Sequence, residues 1–154
     1  MPELRVFLKY WLPPLAWMFL IFAGSSDARS YQHSSWLVEP ILRWLFPRMT
    51  QEHVGAIHHL FRKCAHLTEY AVLALLLWRA ARQPVKSDPR PWHWPEVRLV
   101  LLIVMFYAAT DEFHQSFVPN RTPLVSDVLI DTAGGAAGLL ALWIVFGWRK
   151  RLKK

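Results

Sequence analysis

Four hydrophobic runs separated by charged segments dominate the pattern of this chain. The runs cover residues 10–26, 63–78, 99–118 and 124–148. Apolar runs of near-membrane length predict an all-α integral membrane protein, a four-helix bundle within one domain covering residues 1–154. The predicted helices span about residues 6–26, 63–81, 97–118 and 124–148.

The second and third runs are too short to cross a membrane as purely apolar helices. Their uninterrupted apolar parts, residues 70–78 and 99–110, extend about 14 and 18 Å, against a hydrocarbon core about 30 Å thick. These two helices must therefore bring polar residues to the edge of the hydrocarbon or into it.

Composition supports a membrane protein and excludes several other classes. Of the 154 residues, 54% are hydrophobic and nine are Trp, yet the formal net charge is +7. A single cysteine, Cys64, cannot form an internal disulfide, which excludes a disulfide-stabilised scaffold. The basic residues lie between the apolar runs and not in one stripe, so they indicate membrane topology and no nucleic-acid partner.

The distribution of Lys and Arg predicts that both termini are cytoplasmic. Twelve of the eighteen lie in the N-terminal segment, the connection after the second run and the C-terminal tail, and six lie in the other two connections. A cleaved secretory signal is the alternative for the first run, because Arg5 and Lys9 precede it and residues 23–25 weakly resemble a cleavage site. Pro13 and Pro14, with Trp and Tyr nearby, favour a retained helix.

The connections contain few further signals. An apolar segment around residues 36–46 is too short to span, and we expect it to lie in the membrane interface. Residues 83–95 are Pro-rich and predict a cytoplasmic turn region. Three histidines of the first connection are expected to be solvated loop residues: His53, His58 and His59.

With this topology, polar residues of three helices converge on the outward leaflet. The second helix contributes Arg62, Lys63, His66 and Glu69, the third Asp111, Glu112, His114 and Gln115, the fourth Asp127 and Asp131, and the connection before it Arg121. Spacings of three and four residues place His66 with Glu69, and Asp127 with Asp131, on shared helix faces.

The fourth helix is predicted to turn its polar face toward protein. Asp127, Asp131, Gly134 and Gly138 follow i, i+4, i+7 and i+11, which is one continuous stripe. Two glycines four residues apart let another helix approach closely. The aspartates on the same stripe should therefore point into the bundle and not into lipid.

The cluster has the composition of a binding or catalytic site. Its five carboxylates and three basic residues give a formal charge of −2 with both histidines neutral, which a divalent Zn, Mn or Fe ion would balance. The basic residues suit a phosphate or a headgroup carboxylate, and either histidine suits a general base. The candidate catalytic residues are His66, Glu69, Asp111, His114, Asp127 and Asp131. The candidate ligand-binding residues are Arg62, Lys63, Glu112, Gln115 and Arg121.

Three blocks of this sequence resemble the VanZ-like family. They are RKCAHLTEY at residues 62–70, DEFHQSFVPNR at 111–121 and DVLIDTAG at 127–134, and the Ser25-Ser26 ending of the first helix is similar too. The resemblance implies a small multi-pass protein of the bacterial cytoplasmic membrane. The family is named for a member linked to low-level resistance to teicoplanin, a glycopeptide that binds cell-wall precursors. The resemblance indicates which residues matter and assigns no reaction.

We therefore predict a membrane protein that acts on or binds a cell-envelope component at an outward polar site, and that contributes to glycopeptide antibiotic resistance. Its expected partners are membrane lipids, a lipid-linked envelope precursor or a glycopeptide, and whether it is an enzyme stays open. One alternative is a small proton-coupled exporter, although the first helix lacks the acid that such exporters use. The other is a structural or partner-binding protein whose charges form scaffold salt bridges.

Overall fold

The structure, a computed structural model, describes residues 2–26, 30–82, 92–118 and 124–151. These residues form six helices and no strand, which confirms the all-α class. The helices are α1 (Pro2–Tyr10), α2 (Leu12–Ser26), α3 (Ser30–Leu45), α4 (Gln51–Arg82), α5 (Trp94–Gln115) and α6 (Val125–Arg151).

The main departure from the predicted bounds is the start of α4. This helix begins at Gln51 and not near residue 63, and it runs for 32 residues, or about 48 Å. The expectation that His53, His58 and His59 lie in a loop is therefore wrong, and His58 is also buried. His53 and His59 are exposed, as expected. The connection from α3 ends at Thr50. The Thr50 carbonyl accepts a 3.1 Å hydrogen bond from the Val54 N–H, which is the first hydrogen bond of α4.

Helix α3 covers the segment predicted to lie in the membrane interface. It contains Pro40, and its exposed apolar side chains include Trp36, Ile41 and Trp44. Of the Pro-rich turn predicted for residues 83–95, positions 83–91 lie outside the described residues, and α5 begins at Trp94.

Two segments are long and apolar enough to span a membrane, Glu3–Ser25 and Val125–Phe146. Only 11% and 28% of their apolar windows are buried within the protein. A core helix of a soluble protein would bury most of that surface, so the outward apolar faces indicate a membrane protein. Whether α4 and α5 also cross the membrane, and which way the termini face, stay predictions.

Helices α4, α5 and α6 form the centre of the molecule, and α4 with α6 is the most extensively packed pair. On α5 all the buried positions except Glu112 follow spacings of three and four residues: Val97, Val100, Val104, Ala108, Asp111 and Gln115. This stripe is apolar up to Ala108 and polar from Asp111 onward. The apolar core therefore gives way to a buried polar region at one end of α5.

Glycines of α6 allow this close packing. A Cβ added at Gly138 would lie 2.8 Å from the carbonyl oxygen of Ala71 on α4, and one added at Gly134 would collide with the carbonyl oxygen of Leu67. A Cβ at Gly135 would lie 2.9 Å from Cγ1 of Val104 on α5. The prediction that this stripe faces another helix is confirmed.

Helix α2 is attached to the centre through side-chain to backbone hydrogen bonds. The Trp17 indole Nε1 donates to the Glu69 carbonyl of α4 at 2.9 Å, and the Tyr107 hydroxyl donates to the Met18 carbonyl. These contacts make α2 part of the packed bundle.

Candidate functional site

The end of α5, the start of α6 and the middle of α4 bring polar residues together. Lys63 Nζ on α4 lies 3.5 Å from Asp127 Oδ1 on α6. Glu112 Oε2, near the end of α5, accepts a 3.1 Å hydrogen bond from the backbone N–H of Leu124, the residue before α6. The antiparallel course of α5 and α6 brings the end of one helix beside the start of the other, and α4 passes both at mid-length.

A cavity of about 330 Å³ lies where these three helices meet. Its lining includes seven of the eleven predicted site residues, namely Arg62, Lys63, His66, Glu112, Gln115, Asp127 and Asp131. The other lining residues are His59, Leu124 and Ile130. The structure therefore brings most of the predicted cluster together around one space.

The two sides of the cavity have different chemistry. Helix α4 supplies the basic side, with Arg62 and Lys63 flanked by His59 and His66. Helices α5 and α6 supply the side rich in hydrogen-bond acceptors, and its members are Glu112, Gln115, Asp127 and Asp131.

Several lining residues are buried despite being polar. Asp131, Gln115 and Glu112 are 4%, 6% and 8% exposed. Burial of a carboxylate lowers stability unless partners compensate for its lost hydration. Polar side chains at such buried positions point to a role in addition to packing.

Asp111 lies behind the cavity and does not line it. It is 1% exposed, and its Oδ2 accepts hydrogen bonds from Ser25 Oγ at 2.7 Å and from Gln115 Nε2 at 2.9 Å. The Gln115 amide NH₂ therefore faces Asp111. Asp111 is thus a positioning residue for Gln115.

Glu69 and His114 also lie outside the cavity lining. Glu69 Oε2 is 3.4 Å from Nδ1 of His66, and the Glu69 side chain is 40% exposed. The His114 ring packs against Phe22 of α2, with 4.2 Å between the ring centroids. Arg121, the remaining predicted ligand-binding residue, lies outside the described residues.

His59 is the polar lining residue that the sequence prediction missed. It precedes Arg62 by three positions and Lys63 by four, so the extension of α4 places it on the same face. That spacing was visible in the sequence, but it identifies His59 only once the segment is known to be helical. His58, beside it, is buried, and this burial lowers the pKa of its imidazole.

The predicted divalent metal has no assembled ligand set in the part of the chain that the structure describes. No group of three or more His, Cys, Asp or Glu side chains is arranged there to hold a metal ion. One cavity carboxylate, that of Asp127, instead lies 3.5 Å from the Lys63 Nζ.

Fold and site together define a helical protein with outward apolar faces and a cavity of mixed charge at one end of its bundle. The sequence profile of the VanZ/LLP1 family matches residues 10–146, and the chain belongs to this family. The resemblance based on the three sequence blocks is thereby confirmed. No curated protein and no solved structure matches the chain.

Proposed function

We propose that this chain is a multi-pass protein of the bacterial cytoplasmic membrane whose cavity faces outward and binds the headgroup of a cell-envelope component. The ligand is a membrane lipid or a lipid-linked precursor, and its binding contributes to glycopeptide resistance. The observation that carries the proposal is the cavity itself, around which three helices place seven of the predicted site residues.

The surroundings of the cavity support an amphipathic ligand. Leu67, Phe113 and Leu129 are close in sequence to the polar lining residues, and all three are exposed apolar side chains on α4, α5 and α6. A lipid whose headgroup occupies the cavity would place its acyl chains beside such surfaces. A soluble ligand would make no use of them.

We propose His66 as the residue that would do chemistry as well as binding. His66 lines the cavity, and its Nδ1 lies 3.4 Å from the Glu69 carboxylate. A carboxylate beside an imidazole orients the ring and stabilises the cation that forms when the ring accepts a proton. His66 is therefore the candidate general base if the bound component is also modified.

The test measures glycopeptide susceptibility and thermal stability for the same variants, in a host without its own copy of the gene. We expect His66→Ala and Asp127→Asn to lose resistance while the melting temperature in detergent changes little. Both side chains are partly solvent-accessible, at 26% and 33%, so neither replacement removes a fully buried side chain. Glu52→Gln, at an exposed acid in the first turn of α4, is the matched control and should retain both properties.

Two outcomes would contradict this proposal. Wild-type resistance in both site variants would show that the cavity is not needed for the phenotype. A parallel fall of stability and resistance would favour the scaffold alternative, in which the charges mainly hold the helices together.

A further inference from the structure

On the side of the cavity rich in hydrogen-bond acceptors, the most buried carboxylate is that of Asp131, and it has no hydrogen-bond donor among the described residues. Asp131 is 4% exposed and accepts no hydrogen bond from any described residue. Its basic neighbour His66 already lies 3.4 Å from Glu69. A buried carboxylate without a donor is costly, so a cationic ligand group at this position would compensate for it.

Gln115 adds a second acceptor on the same side. Its Nε2 donates to Asp111 Oδ2 at 2.9 Å, and Asp111 is itself held by Ser25. This arrangement fixes which end of the amide faces the carboxylate and leaves the amide oxygen as an acceptor for a ligand. Asp131 and Gln115 therefore both favour a hydrogen-bond donor in the cavity.

The opposite side has the composition of an anion site. Arg62 and Lys63 are adjacent on α4, and guanidinium and ammonium groups are the usual partners of phosphate oxygens. The 3.5 Å Lys63–Asp127 pair is about one-third exposed on each partner, and pairs of this kind are weak. Lys63 can therefore exchange Asp127 for a phosphate oxygen at little cost.

A purely anionic ligand would serve only one side of the cavity. It could contact Arg62 and Lys63, but it would offer no donor to the buried Asp131 carboxylate on the opposite side. We propose that the ligand is a zwitterion with a phosphate against Arg62 and Lys63 and a protonated amine against Asp131 and Gln115. This inference rests on the proposed headgroup site and names the class of its ligand. An aminoethyl-phosphate lipid headgroup and a free aminoalkyl phosphate share this chemistry.

The test titrates the purified full chain in detergent micelles with three probes. The probes are a short-chain phosphatidylethanolamine, a phosphatidylglycerol with the same acyl chains, and soluble O-phosphorylethanolamine. We expect the wild type to bind phosphatidylethanolamine about tenfold more tightly than phosphatidylglycerol, as one charge-assisted hydrogen bond allows. Binding of the soluble probe as tight as that of the lipid would support the zwitterion and identify a free ligand as its source.

Matched variants separate the two sides of the cavity. Asp131→Asn should abolish the preference for phosphatidylethanolamine and leave phosphatidylglycerol affinity unchanged, whereas Lys63→Gln should weaken both. If Asp131→Asn does not fold, the more exposed Asp127→Asn should reduce the same preference. Glu52→Gln should bind like the wild type.

The outcomes also separate this inference from the proposed function. Equal affinity for the two lipids, or tighter binding of phosphatidylglycerol, would overturn the zwitterion while leaving a headgroup site intact. Binding of none of the three probes would count against both the zwitterion and the headgroup site.

Discussion

The hydroxyl of Ser25 donates a 2.7 Å hydrogen bond to Oδ2 of Asp111, a residue 86 positions later in the chain. This contact joins the end of α2 to the polar end of α5. The same carboxylate oxygen holds the amide of Gln115, which lines the cavity. Helix α2 therefore influences the site without lining it, because its Ser25 holds Asp111, the residue that orients Gln115.

Removal of that hydroxyl should destabilise the protein. Ser25→Ala leaves the buried Asp111 carboxylate with one donor fewer, which we expect to lower the free energy of unfolding by about 1–3 kcal/mol. Ser116→Ala is the matched control, because its exposed hydroxyl donates only to the backbone carbonyl of Phe113. Thermal unfolding in detergent compares the two variants. Equal melting temperatures would show that the Ser25–Asp111 bond adds nothing to stability.

Small residues on α6 should be sensitive to a single added methyl group. Gly134→Ala and Gly138→Ala place a Cβ against the backbone of Leu67 and Ala71, so the helices must separate and packing is lost. Gly55→Ala on α4 is the control, since a Cβ there meets nothing within 4 Å and alanine favours a helix. Melting temperatures should fall for the two α6 variants and hold or rise for the control. A fall in all three would indicate that packing against α4 is not the cause.

The hydrogen bond between Glu112 and Leu124 predicts a difference between two substitutions. Glu112→Gln keeps an oxygen that can accept from the Leu124 N–H, whereas Glu112→Ala leaves this donor at the start of α6 without its partner. We expect the alanine variant to be less stable than the glutamine variant by about 1 kcal/mol. Chemical denaturation of both proteins checks this, and equal stability would mean that water replaces the carboxylate.

The Lys63–Asp127 pair should contribute little to stability. Because each side chain is about one-third exposed, a double-mutant cycle with Lys63→Gln and Asp127→Asn should give a coupling energy below about 1 kcal/mol. A coupling of several kcal/mol would instead identify the pair as a structural salt bridge and favour the scaffold alternative.

The distribution of basic residues predicts the orientation in the membrane. A reporter fused after Lys154 should report the cytoplasm, and one fused after Arg48, between α3 and α4, should report the outside. Alkaline phosphatase and green fluorescent protein fusions give opposite signals at the two positions. An external C-terminus would place the cavity on the cytoplasmic side and contradict the proposed envelope ligand.

The sequence by itself determined the helical class, the family and the polar face of α6. Asp127, Asp131, Gly134 and Gly138 share one stripe because helical geometry is local and depends only on spacing. A close helix contact at the glycines also follows from local information, since two small residues one turn apart permit an approach that larger residues block. Only the structure shows that the contacting helix is α4.

Only the tertiary structure decided which polar residues face the cavity. Asp111 and Gln115 are four residues apart on one face of α5, yet Gln115 lines the cavity and Asp111 lies behind it against Ser25. His59 likewise became a lining residue because α4 extends past the predicted start. The physical reason is the same in both cases. Spacing fixes a direction around a helix axis, whereas the side chain's surroundings depend on where the neighbouring helices pack.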